Sequence, residues 1–185
     1  MTWLSDYLPA GQPVLDASVI INLLGTRRPI EVLRALGHRS LVEERTLKEV
    51  RRHPIPDLQV EPVLTELRDQ GLLDKVRMTD DEYDMYLTHV SGPLEQRLDD
   101  GESAALAISP RGSCIVLDER KARSRAASSA PGLIVVSSLR LLISSGHRAG
   151  WPPEHIKQLV ESARTSSRMG VPKSEHTLLA QVLAA

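Results

Sequence analysis

Four acidic residues stand where acids are costly, and their types and spacing suit metal-assisted hydrolysis of a phosphodiester. Asp16 ends the apolar run Pro13-Val14-Leu15, and Asp118 ends the run Cys114-Ile115-Val116-Leu117. Glu49 lies on the helical stretch Thr46-Leu47-Lys48-Glu49-Val50, and Glu102 opens the Ala-rich segment Glu102-Ser103-Ala104-Ala105-Leu106-Ala107. Two of the four are thus carboxylates at the carboxyl ends of buried strands, the edge at which open α/β sheets place their ligands. Carboxylates gathered in a partly dry cleft take up protons unless a cation compensates them. One or two Mg²⁺ or Mn²⁺ ions would make a water nucleophilic and neutralise the phosphoryl oxygens. These hard cations prefer oxygen ligands and retain waters, so a few carboxylates suffice and no histidine is needed.

Asp16 and Asp118, short side chains at the ends of rigid strands, are the natural inner ligands. Glu49 and Glu102, one methylene longer, suit reaching in from helices. Ser18, two residues after Asp16, could hydrogen-bond a carboxylate or a metal-bound water. Each acid also has a plainer role open to it. Asp16 could be a helix N-cap before Val19-Ile20, and Asp118 could cap the next helix. Glu102 could favour the positive end of its own helix. Glu49 could be a solvated acid paired with Lys48 or Arg52, a pairing that contributes little. Taken together, in this order, the acids point to a site. Arg120, Lys121, Arg123 and Arg125 follow Asp118, and Arg51, Arg52 and His53 follow Glu49. They are either solvated helix faces or bases that hold a phosphate backbone beside bound metal, with Arg120, Lys121 and Arg123 the candidates for contact with that backbone.

The elements that must position these groups read as an alternation of strands and helices. Strands are expected at 13–16, 40–42, 76–78, 113–118 and 132–136. Helices are expected after Asp16 to a stop at Gly25, and over 29–36, 44–52 and 62–71. A further helix starts at Thr79 and ends around Gly92-Pro93, and others cover 102–108, capped by Asp99 or Asp100, 119–128 and 139–145. The last of these is capped by Ser138 and closed by Gly146. Short apolar strands separated by helices predict parallel pairing in βαβ units. Beyond Gly150 an amphipathic helix from Pro152-Pro153, a polar break over 165–172 and a last helix with Leu178, Leu179, Val182 and Leu183 form a helical C-terminal extension. Its apolar stripe is expected to pack on the domain or on a partner. The division is therefore 1–12 as an N-terminal extension, 13–150 as the main domain and 151–185 as the helical extension.

A chain of 185 residues suits one well-buried domain. With no Phe, two Trp and three Tyr, the core must be aliphatic, which weakens any proposal of stacked bases on aromatic platforms. The single cysteine, Cys114, excludes an internal disulfide, reads as a buried inert thiol, and leaves no Cys/His cluster of zinc spacing. The N-terminus lacks a basic region followed by an apolar core, and no apolar stretch approaches ~18 residues, so neither a signal peptide nor a membrane span is expected and the cytoplasm is the default. A net charge of −1 argues against gripping nucleic acid by bulk electrostatics.

Three segments resemble the PIN-domain family. Leu15-Asp16-Ala17-Ser18-Val19-Ile20-Ile21-Asn22-Leu23 looks like its opening, an Asp closing the first strand with a small polar residue two positions on. Asp100-Gly101-Glu102-Ser103-Ala104-Ala105-Leu106-Ala107 resembles the third acidic motif. Leu117-Asp118-Glu119-Arg120-Lys121-Ala122-Arg123, followed by Ala126 and Ile134-Val135-Val136, resembles the fourth, in the branch that includes VapC-like toxins. The resemblance spans roughly 14–146. It implies a three-layer α/β/α fold around a parallel sheet with a helical C-terminal extension, and an Mg²⁺- or Mn²⁺-dependent endoribonuclease. It also implies a toxin neutralised by a small antitoxin, often as a homodimer. It carries over Asp16, Glu49, Glu102 and Asp118 as metal-binding catalytic acids, with Glu43 and Glu44 lying close enough in sequence to compete with Glu49. The family commonly shows two adjacent acids at the fourth position, where this chain has Asp118 followed by Glu119. An inactive PIN-like module that binds RNA or protein is the alternative. A phosphatase of the haloacid-dehalogenase type would want a second Asp where Ser18 stands.

Overall fold

The computed structural model describes residues 3–91, 93, 95 and 97–185. Five strands, β1 (Pro13–Leu15), β2 (Ser40–Glu43), β3 (Leu73–Val76), β4 (Cys114–Val116) and β5 (Val135–Val136), form one sheet in the order β3-β2-β1-β4-β5. Every neighbouring pair is parallel, with Leu15 opposite Val116 and Val14 opposite Leu41. The chain winds outward from β1 through β2 to β3, then crosses back to β4 and β5. The β1/β4 boundary is therefore the topological switch point, beyond whose carboxyl ends such sheets bind ligands.

The period-2 alternation of strand side chains divides the core between two faces. Leu15, Val42, Cys114, Val116 and Val136 face one cluster, with side chains from α1 (Ala17–Gly25), α2 (Pro29–Ala35), α8 (Ser138–Ala149) and α9 (Pro153–Ser167). Val14, Leu41, Ile115 and Leu117 face the other, with Ala105, Leu106 and Ile108 of α6 (Asp100–Ile108) and Ala122 and Ala126 of α7 (Arg120–Ser129). The result is the three-layer α/β/α arrangement, and small alanines on α6 and α7 let those helices lie close to the sheet. Around these layers stand α3 (Glu44–Glu49), α4 (Val60–Asp69), α5 (Asp80–Val90) and α10 (His176–Leu183). Among the described residues, no helix is long and apolar enough to cross a membrane.

Some boundaries differ from the sequence expectation for identifiable reasons. The third strand lies at 73–76, not 76–78, because it pairs residue for residue with β2 at the sheet edge; only Leu73 of its four residues is buried, so no apolar run announces it. The third helix stops at Glu49. Helix α5 begins with a full capping box, Thr79 with Glu82, and ends at Val90; Gly92, expected as its stop, lies outside the described residues, as do Met1 and Thr2. Ser137, not Ser138, caps α8, its hydroxyl accepting from the Arg140 amide at 3.2 Å. That helix runs through Gly146 and closes at Gly150, whose φ of 66° suits glycine. Gly146 is there for packing, since a Cβ would lie 2.4 Å from Ile156 Cδ1. Helix α9 continues to Ser167, into the expected polar break, and packs on α1 and α8, with α10 against it. Its Ile156, Leu159, Val160 and Ala163 are buried, the large aliphatics contributing about 1.5–3 kcal/mol each.

Candidate active site

Asp16 follows β1 directly and caps α1: its Oδ2 accepts from the Ser18 amide at 3.2 Å and from the Ser18 hydroxyl at 2.6 Å. The capping role read as the plainer alternative is thus real, but it uses one oxygen only. Oδ1 is buried and has no hydrogen-bond partner. A buried carboxylate oxygen left bare is costly, and burial holds the Asp16 carboxyl above its usual range, with Asp99 adding repulsion.

Facing it is the start of α6. Asp99 is the N-cap, accepting from the Glu102 amide at 2.8 Å, which aims the first turn of the helix at Asp16. Glu102 is 7% exposed. Its carboxyl is pushed up to about 8, first by burial and then by the charges of Asp99, Asp16 and Glu119. Glu49, the last residue of α3, accepts from the Gly101 amide at 2.6 Å, while Thr46 of the same helix donates to the Gly101 carbonyl at 3.0 Å. The Glu49 carboxyl is raised by burial and by Asp99, Asp16 and Asp100. Its pairing with Lys48, the alternative read from sequence, is not formed; Lys48 lies 3.9 Å from Glu44 instead.

Asp118 lies two residues beyond β4. It does not cap α7, whose N-cap is Glu119. Its Oδ1 accepts from the Ser138 amide at 2.8 Å, and its Oδ2 from the Ser138 hydroxyl at 2.5 Å and from Asn22 Nδ2 at 2.9 Å. Burial raises this carboxyl, the Ser138 donors pull it down, and Asp16 pushes it up again. Three donors leave Asp118 about one lone-pair position of a carboxylate's four.

Asp16, Ser18, Glu49, Glu102, Glu119 and Lys121 line one cavity of about 550 Å³. Asp118, Arg120 and Arg123 line a second cleft of about 560 Å³, opposite residues 170–174. Glu43 and Glu44 belong to neither: Glu43 caps α3, and Glu44 lies among Lys48, Lys75 and Arg77. Two residues of the first cavity were missed from the sequence, Arg97 and Asp99. Asp99 read only as a helix cap, although three acids within four residues (Asp99, Asp100, Glu102) exceed what one helix start needs. Arg97 stands in a stretch of sequence without periodicity and gave no signal.

The donor set fits a hard divalent cation. It is all oxygen, it includes a buried bare oxygen, and it concentrates negative charge that burial makes unfavourable. Among the described residues no three His, Cys, Asp or Glu side chains are gathered as a ready-made ligand set. Mg²⁺ does not need one, since it keeps several waters and is commonly held by one or two carboxylates.

A protein-family model described as a PIN domain matches residues 12–182. No curated protein and no solved structure matches the chain. The match covers nearly the whole sequence, from before β1 to within α10, and the chain accordingly belongs to the PIN-domain family, a nuclease-type fold.

Proposed function

We propose that this protein is a divalent-metal-dependent endoribonuclease of the VapC-like branch, the toxin of a toxin–antitoxin pair. The observation that carries the reading is the bare, buried Asp16 Oδ1 among Glu49, Asp99 and Glu102 at the switch point of the sheet. Asp16, Glu102, Glu49 and Asp118 would hold one or two Mg²⁺ or Mn²⁺ ions. When bound, such an ion acidifies a water and neutralises phosphoryl charge.

The chain's own residues do the rest. Ser18 holds Asp16 by Oδ2 and leaves Oδ1 without a donor. The Gly101 amide holds the Glu49 side chain, so that long side chain need not be ordered when substrate arrives, and Asp99 holds the backbone of Glu102 at the start of α6. Glu119 adds a carboxylate to the cavity and Lys121 a cation. Arg120 and Arg123, with Lys173 across the second cleft, supply positive charge for a phosphate backbone leaving the site. RNA as the substrate, a small antitoxin and a homodimeric state follow the VapC-like resemblance. The competing reading, an inactive binding module, draws on the three donors already bound to Asp118; the bare oxygen of Asp16 outweighs it.

Incubating the purified protein with a mixed RNA pool in Mg²⁺, in Mn²⁺ and in EDTA tests the proposal. Cleavage in either metal and none in EDTA is expected. Cutting that is indifferent to EDTA would overturn the metal-dependent reading, and a folded protein that cuts nothing and binds no metal would favour the inactive module. Co-purification with the product of a neighbouring small open reading frame, which suppresses the cutting, tests the toxin role.

A further inference from the structure

We infer that the segment from Ser167 to Glu175 is a positioning element for Asp118, acting through the two residues that hold that carboxylate. The inference rests on the nuclease reading for its consequence, and on hydrogen bonds for its existence.

The first link runs from the end of α9. The Ser167 hydroxyl donates to Asn22 Oδ1 at 2.9 Å, sharing its proton with the Ala163 carbonyl at 2.5 Å. With Oδ1 so engaged, the buried Asn22 amide turns Nδ2 toward Asp118 Oδ2 at 2.9 Å and Ser138 Oγ at 3.2 Å. Helix α9 comes this close to α1 because residue 25 is glycine: a Cβ there would lie 2.7 Å from Ser167 Oγ and 3.4 Å from Ala163 Cα.

The second link starts at Glu175, which is 3% exposed. Its Oε2 accepts from the Ser137 hydroxyl, and its Oε1 lies 2.9 Å from Arg140 Nε. Ser137 is the N-cap of α8, so this contact fixes the first turn of the helix whose next residue, Ser138, gives Asp118 two of its three hydrogen bonds. Arg140 is itself held over the Tyr7 ring, 4.8 Å from its centroid.

A segment that served only to cover apolar surface would not bury a carboxylate, which is costly unless it is paired and hydrogen-bonded. Two polar chains converging from separate elements on one acid are the arrangement by which outer partners orient the groups that face a metal. Segment and site are thereby coupled: the carboxyl-terminal helices hold Asp118 at the switch point.

The test uses the full chain and the variants Ser167→Ala, Glu175→Ala and Glu175→Gln. Two quantities are read: the Asp118 carboxyl ¹³C resonance without metal, and Mn²⁺ affinity by electron paramagnetic resonance. Ser167→Ala and Glu175→Ala are expected to move the resonance and to weaken Mn²⁺ binding by about tenfold, the low end for an outer partner. Glu175→Gln still accepts from Ser137 and should lose less than Glu175→Ala. Ser167→Ala removes one hydroxyl from a helix end, so it keeps the test decisive if Glu175→Ala does not fold. Folded variants in which the resonance stays put would overturn the inference, whatever the metal does. A wild type that binds no Mn²⁺ would instead count against the nuclease reading, and the resonance would still decide whether the segment positions Asp118.

Discussion

The Glu49 carboxylate sits where a side chain at position 101 would begin. The Gly101 amide donates to Glu49 Oε1 at 2.6 Å, and a Cβ on Gly101 would lie 2.3 Å from Glu49 Oε2. The absence of a side chain at 101 is what lets an acid from α3 reach the amino end of α6. Gly101→Ala should therefore displace Glu49 from the cavity without unfolding the protein, because the atoms met are the far end of a flexible side chain. A loss of about tenfold in cleavage rate is expected, as for other supporting residues of metal sites. A rate assay beside a thermal melt checks both halves.

Asp99 can be separated from its capping role. Asn caps a helix about as well as Asp, so Asp99→Asn should keep α6 in place while removing the charge that raises both Glu102 and Glu49. The Glu102 carboxyl is expected to fall from about 8 toward its ordinary value. NMR titration of that carboxyl, with circular dichroism as the control for folding, checks the prediction.

Burial and the same charges give Glu102 of the metal-free protein a pH-dependent contribution to stability with a definite sign. The Glu102 carboxyl lies at about 8 in the folded chain against an ordinary value of 4.5. The folded state therefore holds a proton that the unfolded chain releases, and stability falls as pH rises between those two values. Asp16, Glu49 and Asp118 are shifted in the same direction. In EDTA the wild-type denaturant midpoint should fall relative to that of Glu102→Gln from pH 5 to pH 8, a difference that cancels the opposing contribution of the lowered His53 and His89 imidazoles, and the rise in midpoint on adding Mg²⁺ should be larger at pH 8 than at pH 6.

Helix α9 is seated against α8 at Gly146, where a Cβ would meet Ile156 Cδ1 at 2.4 Å and Cγ1 at 2.5 Å. Gly146→Ala should cost about 1–3 kcal/mol, the usual range for overpacking a filled core. Trimming the neighbour in a Gly146→Ala, Ile156→Val double variant should recover part of it. Chemical denaturation of wild type, the two single variants and the double variant measures the coupling.

How far the sequence carried these conclusions depends on where each residue's signal resides. Asp16 and Asp118 were legible because each closes an apolar run, and a buried strand that ends in an acid is a local pattern. The parallel sheet was legible for the same reason, except for β3, whose Asp74 and Lys75 sit on an edge and break the run. Asp99 was half legible: its cap was visible, but its nearness to Asp16 depends on how α6 docks across the sheet. The hold of Asn22, Ser138, Ser167 and Glu175 on Asp118 was not legible at all, since those contacts join residues up to 145 positions apart and leave no periodic trace. Gly146 misled for a related reason, because a glycine chosen for a neighbouring helix looks the same as one that ends its own.

The most direct test of the central claim is single-turnover RNA cleavage by wild type and Asp16→Asn across a Mn²⁺ titration. Asn keeps the cap on α1 and alters little besides the charge and the bare oxygen. A metal site built on Asp16 predicts that Asp16→Asn folds normally, binds Mn²⁺ far more weakly and loses cleavage at every concentration. Cleavage by Asp16→Asn at the wild-type rate would contradict it.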